Sequence, residues 1–133
     1  MLEIKPVQEK TEQERICARC GMHYDADLLM YAAYVDGALV GASEFGMNHN
    51  GGFIYDLRNT PQSDDRDALF IMGRQTLNFI DLCGVHKATF LPQDVSYEVL
   101  AKQIGFRKLD SGEWFMNLEG FFTAPCQHDL DKD

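Results

Sequence analysis

The sequence predicts a mixed α/β (α+β) fold in which a mostly antiparallel central sheet is flanked by helices. Three observations lead there. Two strand-like runs, Leu28 to Val35 and Ala38 to Phe45, are separated by Asp36-Gly37, the dipeptide that most readily makes a two-residue hairpin turn. A long amphipathic helix begins after Asp64 and runs to about Cys83. A short strand, Ala88 to Leu91, follows it, and an intervening helix of that length makes a parallel crossover onto the earlier sheet the natural pairing. With 133 residues, 45% of them hydrophobic, the chain is long enough for one domain with a proper core, expected over 1–125, with an acidic tail at 126–133.

Taken in order, Leu2 to Val7 alternate as a short strand, and Pro6 places it at a sheet edge. Thr11-Glu12-Gln13-Glu14 fits a capping box, in which the Thr11 hydroxyl and the Glu14 carboxylate satisfy each other's backbone N–H groups. That helix is expected to end near Cys20, because Gly21 supplies a left-handed terminator, and its apolar side is Ile16, Cys17 and Cys20. Asn48 to Gly52 is rich in turn residues and leads into Phe53 to Leu57, a third antiparallel strand. Asn59 to Asp64 then reads as a loop that delivers Ser63 or Asp64 as a helix cap. Along the long helix, Asp67, Arg74, Asn78 and Asp81 form one polar stripe, while Leu69, Phe70, Met72, Leu77, Phe79 and Ile80 fill the remainder, as in a helix pressed against a sheet. Ser96 is expected to cap a last helix through Ile104, closed by Gly105. Phe106 to Leu109 and Trp114 to Leu118, joined through Asp110-Ser111-Gly112, read as a final hairpin.

The charge balance narrows the classes of function. Twelve Lys and Arg against 21 Asp and Glu give a net charge of −9 and a pI near 4.7, so the summed field repels nucleic-acid phosphates and anionic lipid. Neither nucleic acid nor membrane is an expected partner. Glu3, Lys5, Glu9 and Lys10 stand where a signal peptide needs an apolar stretch, and no apolar run approaches the ~20 residues of a spanning helix. A cytoplasmic protein is expected.

The order of elements is similar to that of the GCN5-related N-acetyltransferase (GNAT) superfamily over about Leu2 to Phe122. Tyr34 to Gly41 resembles that family's hairpin between its second and third strands, and Leu100 to Arg107 resembles its helix ending in Gly-Phe. The resemblance implies a cleft where the fourth and fifth strands splay, with acyl-coenzyme A along the fourth. Leu57, Arg58 and Asn59 would then hold the pantetheine arm, and Asp65, Arg66, Asp67 and Ala68, at the following helix start, the pyrophosphate, because backbone N–H groups and the helix dipole attract phosphate. Family members carry Gln or Arg, two residues, Gly, one residue, then Gly or Ala; in the nearest register, Ser63 to Ala68, only Ala68 matches. Asp64, Asp65 and Asp67 set like charge against that ligand. Four residues before Gly105, where many relatives carry a Tyr that protonates the departing thiolate, this chain has Ala101, with Tyr97 one turn earlier. Acyl transfer also needs a base for the ammonium proton. Asp56 and Glu44, on strands expected to be neighbours, are the candidates, and desolvation tunes such carboxylates toward neutrality. The other reading of both is a polar residue on the solvated face of a strand, and of Tyr97 a packed ring with its hydroxyl in water.

Two function classes therefore stand side by side. One is an acetyl-CoA-dependent N-acyltransferase acting on a small, cationic amine. The other is a catalytically inactive binding or sensing module of the same fold, with Cys17, Cys20, Cys126 and His128 as a zinc set that clamps the tail. For Cys17 and Cys20 the competing reading is a buried apolar helix face. His23, His49 and His86 stand alone and are expected in solvent, Cys83 is expected to be buried, and Trp114 to Phe122 either seeds a homodimer edge or packs inside.

Overall fold

The computed structural model describes residues 1–122. Seven strands form one sheet in the order β1-β2-β3-β4-β5-β7-β6. β1 (Leu2–Pro6), β2 (Leu29–Val35), β3 (Ala38–Asn48) and β4 (Gly51–Asn59) are consecutive antiparallel neighbours, and β5 (Lys87–Phe90) lies parallel to β4. β7 (Trp114–Asn117) enters between β5 and β6 (Arg107–Lys108), antiparallel to both. The β2–β3 turn is the expected one: Asp36 and Gly37 both have positive φ, 50° and 86°, as a two-residue hairpin with right-handed twist requires. β7 is an interior strand and Trp114 is buried, so the start of the last aromatic segment packs within the fold.

Among the described residues, three helices divide between the two faces. α2 (Arg66–Leu82) and α3 (Val95–Ile104) share one, α2 burying Leu69, Met72, Leu77 and Ile80 against Phe45, Ile54, Leu57 and Phe90 of the sheet. The two helices approach so closely that a Cβ on Gly73 would lie 2.7 Å from the Ile104 side chain. α1 (Lys10–Cys20) covers the other face, with Ile16, Cys17 and Cys20 packed on Met30, Ala32, Leu39 and Ala42, and Gly21 closes it in the left-handed conformation at φ 73°.

The helix starts differ from the expected ones. α1 begins one residue before Thr11, with Glu9 at the cap position and no side-chain cap, so the capping box does not form. α2 is capped by Asp65, whose carboxylate accepts the Ala68 N–H at 3.0 Å, and neither Ser63 nor Asp64 takes that role. α3 is capped by Asp94, which accepts from the Ser96 and Tyr97 amides, and Ser96 lies inside the helix. Each cap falls one or two residues from the expected one; at α2 and α3 neighbouring Ser and Asp residues compete for the position, and the winner is fixed by where the preceding segment leaves the chain. Cys83 is exposed, since α2 outlasts the sheet beneath it. The expected tail at 126–133 lies outside the described residues.

Candidate active site

β4 carries a bulge. Glu44 of β3 pairs with Asp56 and Phe45 with Ile54, which leaves Tyr55 without a partner. A bulge of this kind bends its strand and strengthens the twist. The parallel pairing of β4 with β5 also stops there, at Ile54 opposite Phe90, and Tyr55 to Asn59 run on without a strand partner on the β5 side while the chain after Phe90 turns away at Pro92. The opening between β4 and β5 is thus written into the register.

Asp56 and Arg58 project from the bulged half of β4 toward the α1 face. The Arg58 guanidinium grips Asp56 with two hydrogen bonds, at 2.9 and 3.0 Å, and donates a third to the carbonyl of Gly21, the C-cap of α1. Gln93, in the segment between β5 and α3, donates to Asp56 from the other side of the opening. Glu44, beside Asp56, accepts from the Asp25 amide at 3.3 Å and contacts the Cys17 thiol at 3.9 Å, and its other oxygen, Oε1, has no partner. Glu44 is 1% and Asp56 5% exposed, so neither is a solvated strand-face residue; α1 and its C-terminal loop cover both. Burial pushes the Glu44 carboxyl up to about 7, and the neighbouring charges of Asp56 and Asp25 add to the rise. Asp56 is also raised by burial, against the opposing pull of Arg58.

Across the opening, the Tyr97 hydroxyl lies 3.3 Å from the Asn59 amide and accepts its hydrogen. Its ring lies under the Arg66 guanidinium, 3.8 Å from the centroid, and Arg66 also reaches the Ser96 hydroxyl at 3.3 Å. Tyr97 therefore reaches into the cleft, and its hydroxyl is engaged by the protein and not by water alone. The Asn59 side chain ties the end of β4 down by donating to the carbonyls of Val40 and Asp65, both at 3.1 Å.

Of the residues expected to line a donor site, Leu57 turns its side chain into the core and Arg58 turns to Asp56 and Gly21. The Asn59 N–H is held by Tyr97, and that of Ala68 by the Asp65 carboxylate. Arg66 and Asp67 stand in the first turn of α2, and the Arg66 Nη1 is buried without a partner. Cys17 and Cys20 are buried thiols, pushed up by burial to about 12 and 11, the condition of apolar packing. Among the described residues no group of three His, Cys, Asp or Glu side chains could hold a metal ion; Cys126 and His128 lie outside them. His86 is half-exposed and pairs with Asp81 at 2.6 Å, while His23 and His49 are exposed. Gln93 and the bulge at Tyr55 carry no signal in the sequence; the hydrogen bond to Asp56 reveals the first and the pairing register the second.

No family model and no curated protein matches the sequence. Solved structures do resemble the fold. A spermidine N-acetyltransferase variant from Vibrio cholerae superimposes with a TM-score of 0.71 at 11% identity, over 93% of this chain and 98% of that one. The ribosomal-protein-S18-alanine N-acetyltransferase from Escherichia coli gives 0.68 at 9% identity, over 89% and 94%. The PaiA N-acetyltransferase from Thermoplasma acidophilum, in complex with coenzyme A, gives 0.65 at 13% identity, over 87% and 97%. The chain has the GNAT fold. No helix among the described residues is long and apolar enough to cross a membrane.

Proposed function

We propose that the protein is an N-acyltransferase that moves an acetyl group from acetyl-coenzyme A to a small cationic amine. The observation that carries this reading is the buried Glu44–Asp56 pair beside the splayed, bulged half of β4.

A coenzyme A arm fits the residues at the start of α2 through one unsatisfied feature: the buried Nη1 of Arg66 lacks an acceptor, and a phosphate oxygen would supply it. Arg66 and the first-turn amides of α2 that Asp65 does not occupy would hold the arm. Bound there, the thioester supplies an activated acyl carbon and a thiolate leaving group. The chain's own residues then have three tasks. The Glu44–Asp56 pair takes the proton that an ammonium must lose before it attacks; with the Glu44 carboxyl near 7, the pair shares its protons across neutral pH and titrates as a unit. Arg58 orients Asp56 and fastens it to the end of α1. Tyr97, whose hydroxyl reaches the Asn59 amide of β4, would give a proton to the leaving sulfur. The net charge of −9 and the acidic loop at Asp25 and Asp27 favour a cationic acceptor.

A second reading, a ligand-binding module of this fold without transfer, draws on two contacts. Asp65 occupies the Ala68 amide and Tyr97 the Asn59 amide, both of which a coenzyme A arm would need. Release of free thiol from acetyl-coenzyme A, followed in the presence of polyamines and amino sugars, separates the two. Amine-dependent thiol release supports transfer; no release, with no calorimetric heat at about 1 mM acetyl-coenzyme A, supports the module.

A further inference from the structure

A second cavity lies away from the β4–β5 opening, where β1 ends. β1 stops at Pro6, opposite Tyr31, and the chain crosses to α1, so the start of β2 is left with a single further bond, from the Val7 amide to the Met30 carbonyl. The space opened there is about 240 Å³. An apolar cavity of ~150 Å³ holds a benzene molecule, so this one admits a ring with a short substituent.

Its walls and its mouth differ in chemistry. Val7, Met30, Phe45 and Phe79 make an apolar interior, with Tyr31 stacked on Phe45 at a centroid distance of 5.5 Å. At the mouth stands Lys10. Its ammonium donates to the Gln13 Oε1 and to the Leu28 carbonyl, both at 3.3 Å, which leaves one N–H. Both partners are neutral, and no carboxylate among the described residues pairs with it, although acidic residues outnumber basic ones by 21 to 12. Gln13 is 3% exposed and is fixed by its bond to the Val7 carbonyl at 2.7 Å, so the acceptor that positions Lys10 is itself rigid. Lys10 is also the first residue of α1, whose start carries no side-chain cap. The start of α1, whose cap residue and first turn carry Glu9 and Glu12, and the exposed Lys10 ammonium, which has no carboxylate partner among the described residues, thus meet at the rim of an apolar cavity.

We propose that this cavity is a binding site for a small monocarboxylate whose apolar body is about the size of a benzene ring. The carboxylate meets the Lys10 ammonium and the start of α1, and the body lies among Met30, Phe45 and Phe79. None of Glu44, Asp56, Arg58, Arg66 or Tyr97 lines the cavity, which is therefore distinct from the β4–β5 opening, although Met30 is the cross-strand partner of Glu44. A ligand there joins α1 to the far end of α2 and stabilises the fold by mass action.

The test uses the full chain with phenylacetate and its uncharged analogue phenylacetamide, in calorimetry and with the Met30 methyl resonance as a reporter of place. Phenylacetate is expected to saturate below about 10 mM and to shift that resonance, with phenylacetamide weaker by about tenfold or more. Lys10→Met, which keeps the aliphatic stem, is expected to lower phenylacetate affinity by about tenfold, and Lys5→Met, outside the cavity, to leave it unchanged. Equal affinity for the acid and the amide, binding that does not move the Met30 resonance, or no saturation at all overturns the proposal. Should Lys10→Met fail to fold, the acid-to-amide comparison on the unaltered chain decides alone.

Discussion

Glu44 and Asp56 are direct cross-strand partners on β3 and β4, and both are buried under α1. Two carboxyl groups so placed cannot both ionise cheaply, and Arg58 compensates only Asp56.

This arrangement makes stability depend on pH with a definite sign. The folded Glu44 holds its proton up to about 7, whereas the unfolded chain releases it near the ordinary ~4.3. The stabilisation from this group is fully present below the unfolded value and is lost as pH rises through about 7. Glu44→Gln, which never ionises, is therefore expected to gain on the parent by roughly 3 kcal/mol between pH 4 and pH 8. Urea unfolding of both proteins at the two pH values measures it; parallel curves would refute the assignment.

In the proposed reaction the same group governs the rate. With Glu44 protonated the pair is a poor base, so kcat/KM is expected to rise as pH increases through about 7, and Glu44→Gln to lose about 10²-fold or more with that rise flattened. A variant that is both more stable at pH 8 and slower is the signature of a carboxylate kept for chemistry at the expense of folding.

Tyr97→Phe keeps the ring beneath Arg66 and removes only the hydroxyl that the Asn59 amide donates to. Stability is expected to fall by about 1 kcal/mol, and kcat by at least about tenfold if the hydroxyl protonates the leaving sulfur. Steady-state kinetics together with thermal unfolding separates the two effects.

Asp65 caps α2 and, in the proposed reading, sets a negative charge at the donor end of the cleft. Asp65→Ser retains a capping oxygen and removes the charge, so the KM for acetyl-coenzyme A is expected to fall while Tm holds. Asp65→Ala loses the cap and about 1 kcal/mol. A KM that ignores the charge would move the donor site elsewhere.

In a Cys126→Ser background, a single thiol is expected to react quickly with an alkylating reagent at pH 8. Cys83 is exposed, whereas Cys17 and Cys20 are buried and pushed up to about 12 and 11. Counting modified thiols by mass before and after unfolding checks this.

Much of the architecture was legible because its signals are local. The Asp36-Gly37 turn, the Gly21 and Gly105 helix ends and the apolar face of α2 each depend on a few adjacent residues, and each stands as expected. The helix caps were not, because Ser63, Asp64 and Asp65 are nearly equivalent by residue type and tertiary placement selects among them. At the site, the polarity of Glu44 and Asp56 was visible but their burial was not. Period-2 alternation puts both on one face of the sheet without saying that α1 covers that face. The Gln93 bond to Asp56 and the Tyr55 bulge are products of long-range contacts, which no stretch of sequence records.

The most direct measurement is thiol release from acetyl-coenzyme A by the wild-type chain and by Glu44→Gln, assayed with a panel of small amines from pH 6 to pH 9. Acyl transfer predicts amine-dependent release that climbs through pH 7 in the wild type and is nearly absent in the variant. Equal release by the two proteins, or none from the wild type with any amine, would contradict a buried Glu44–Asp56 pair acting as the base.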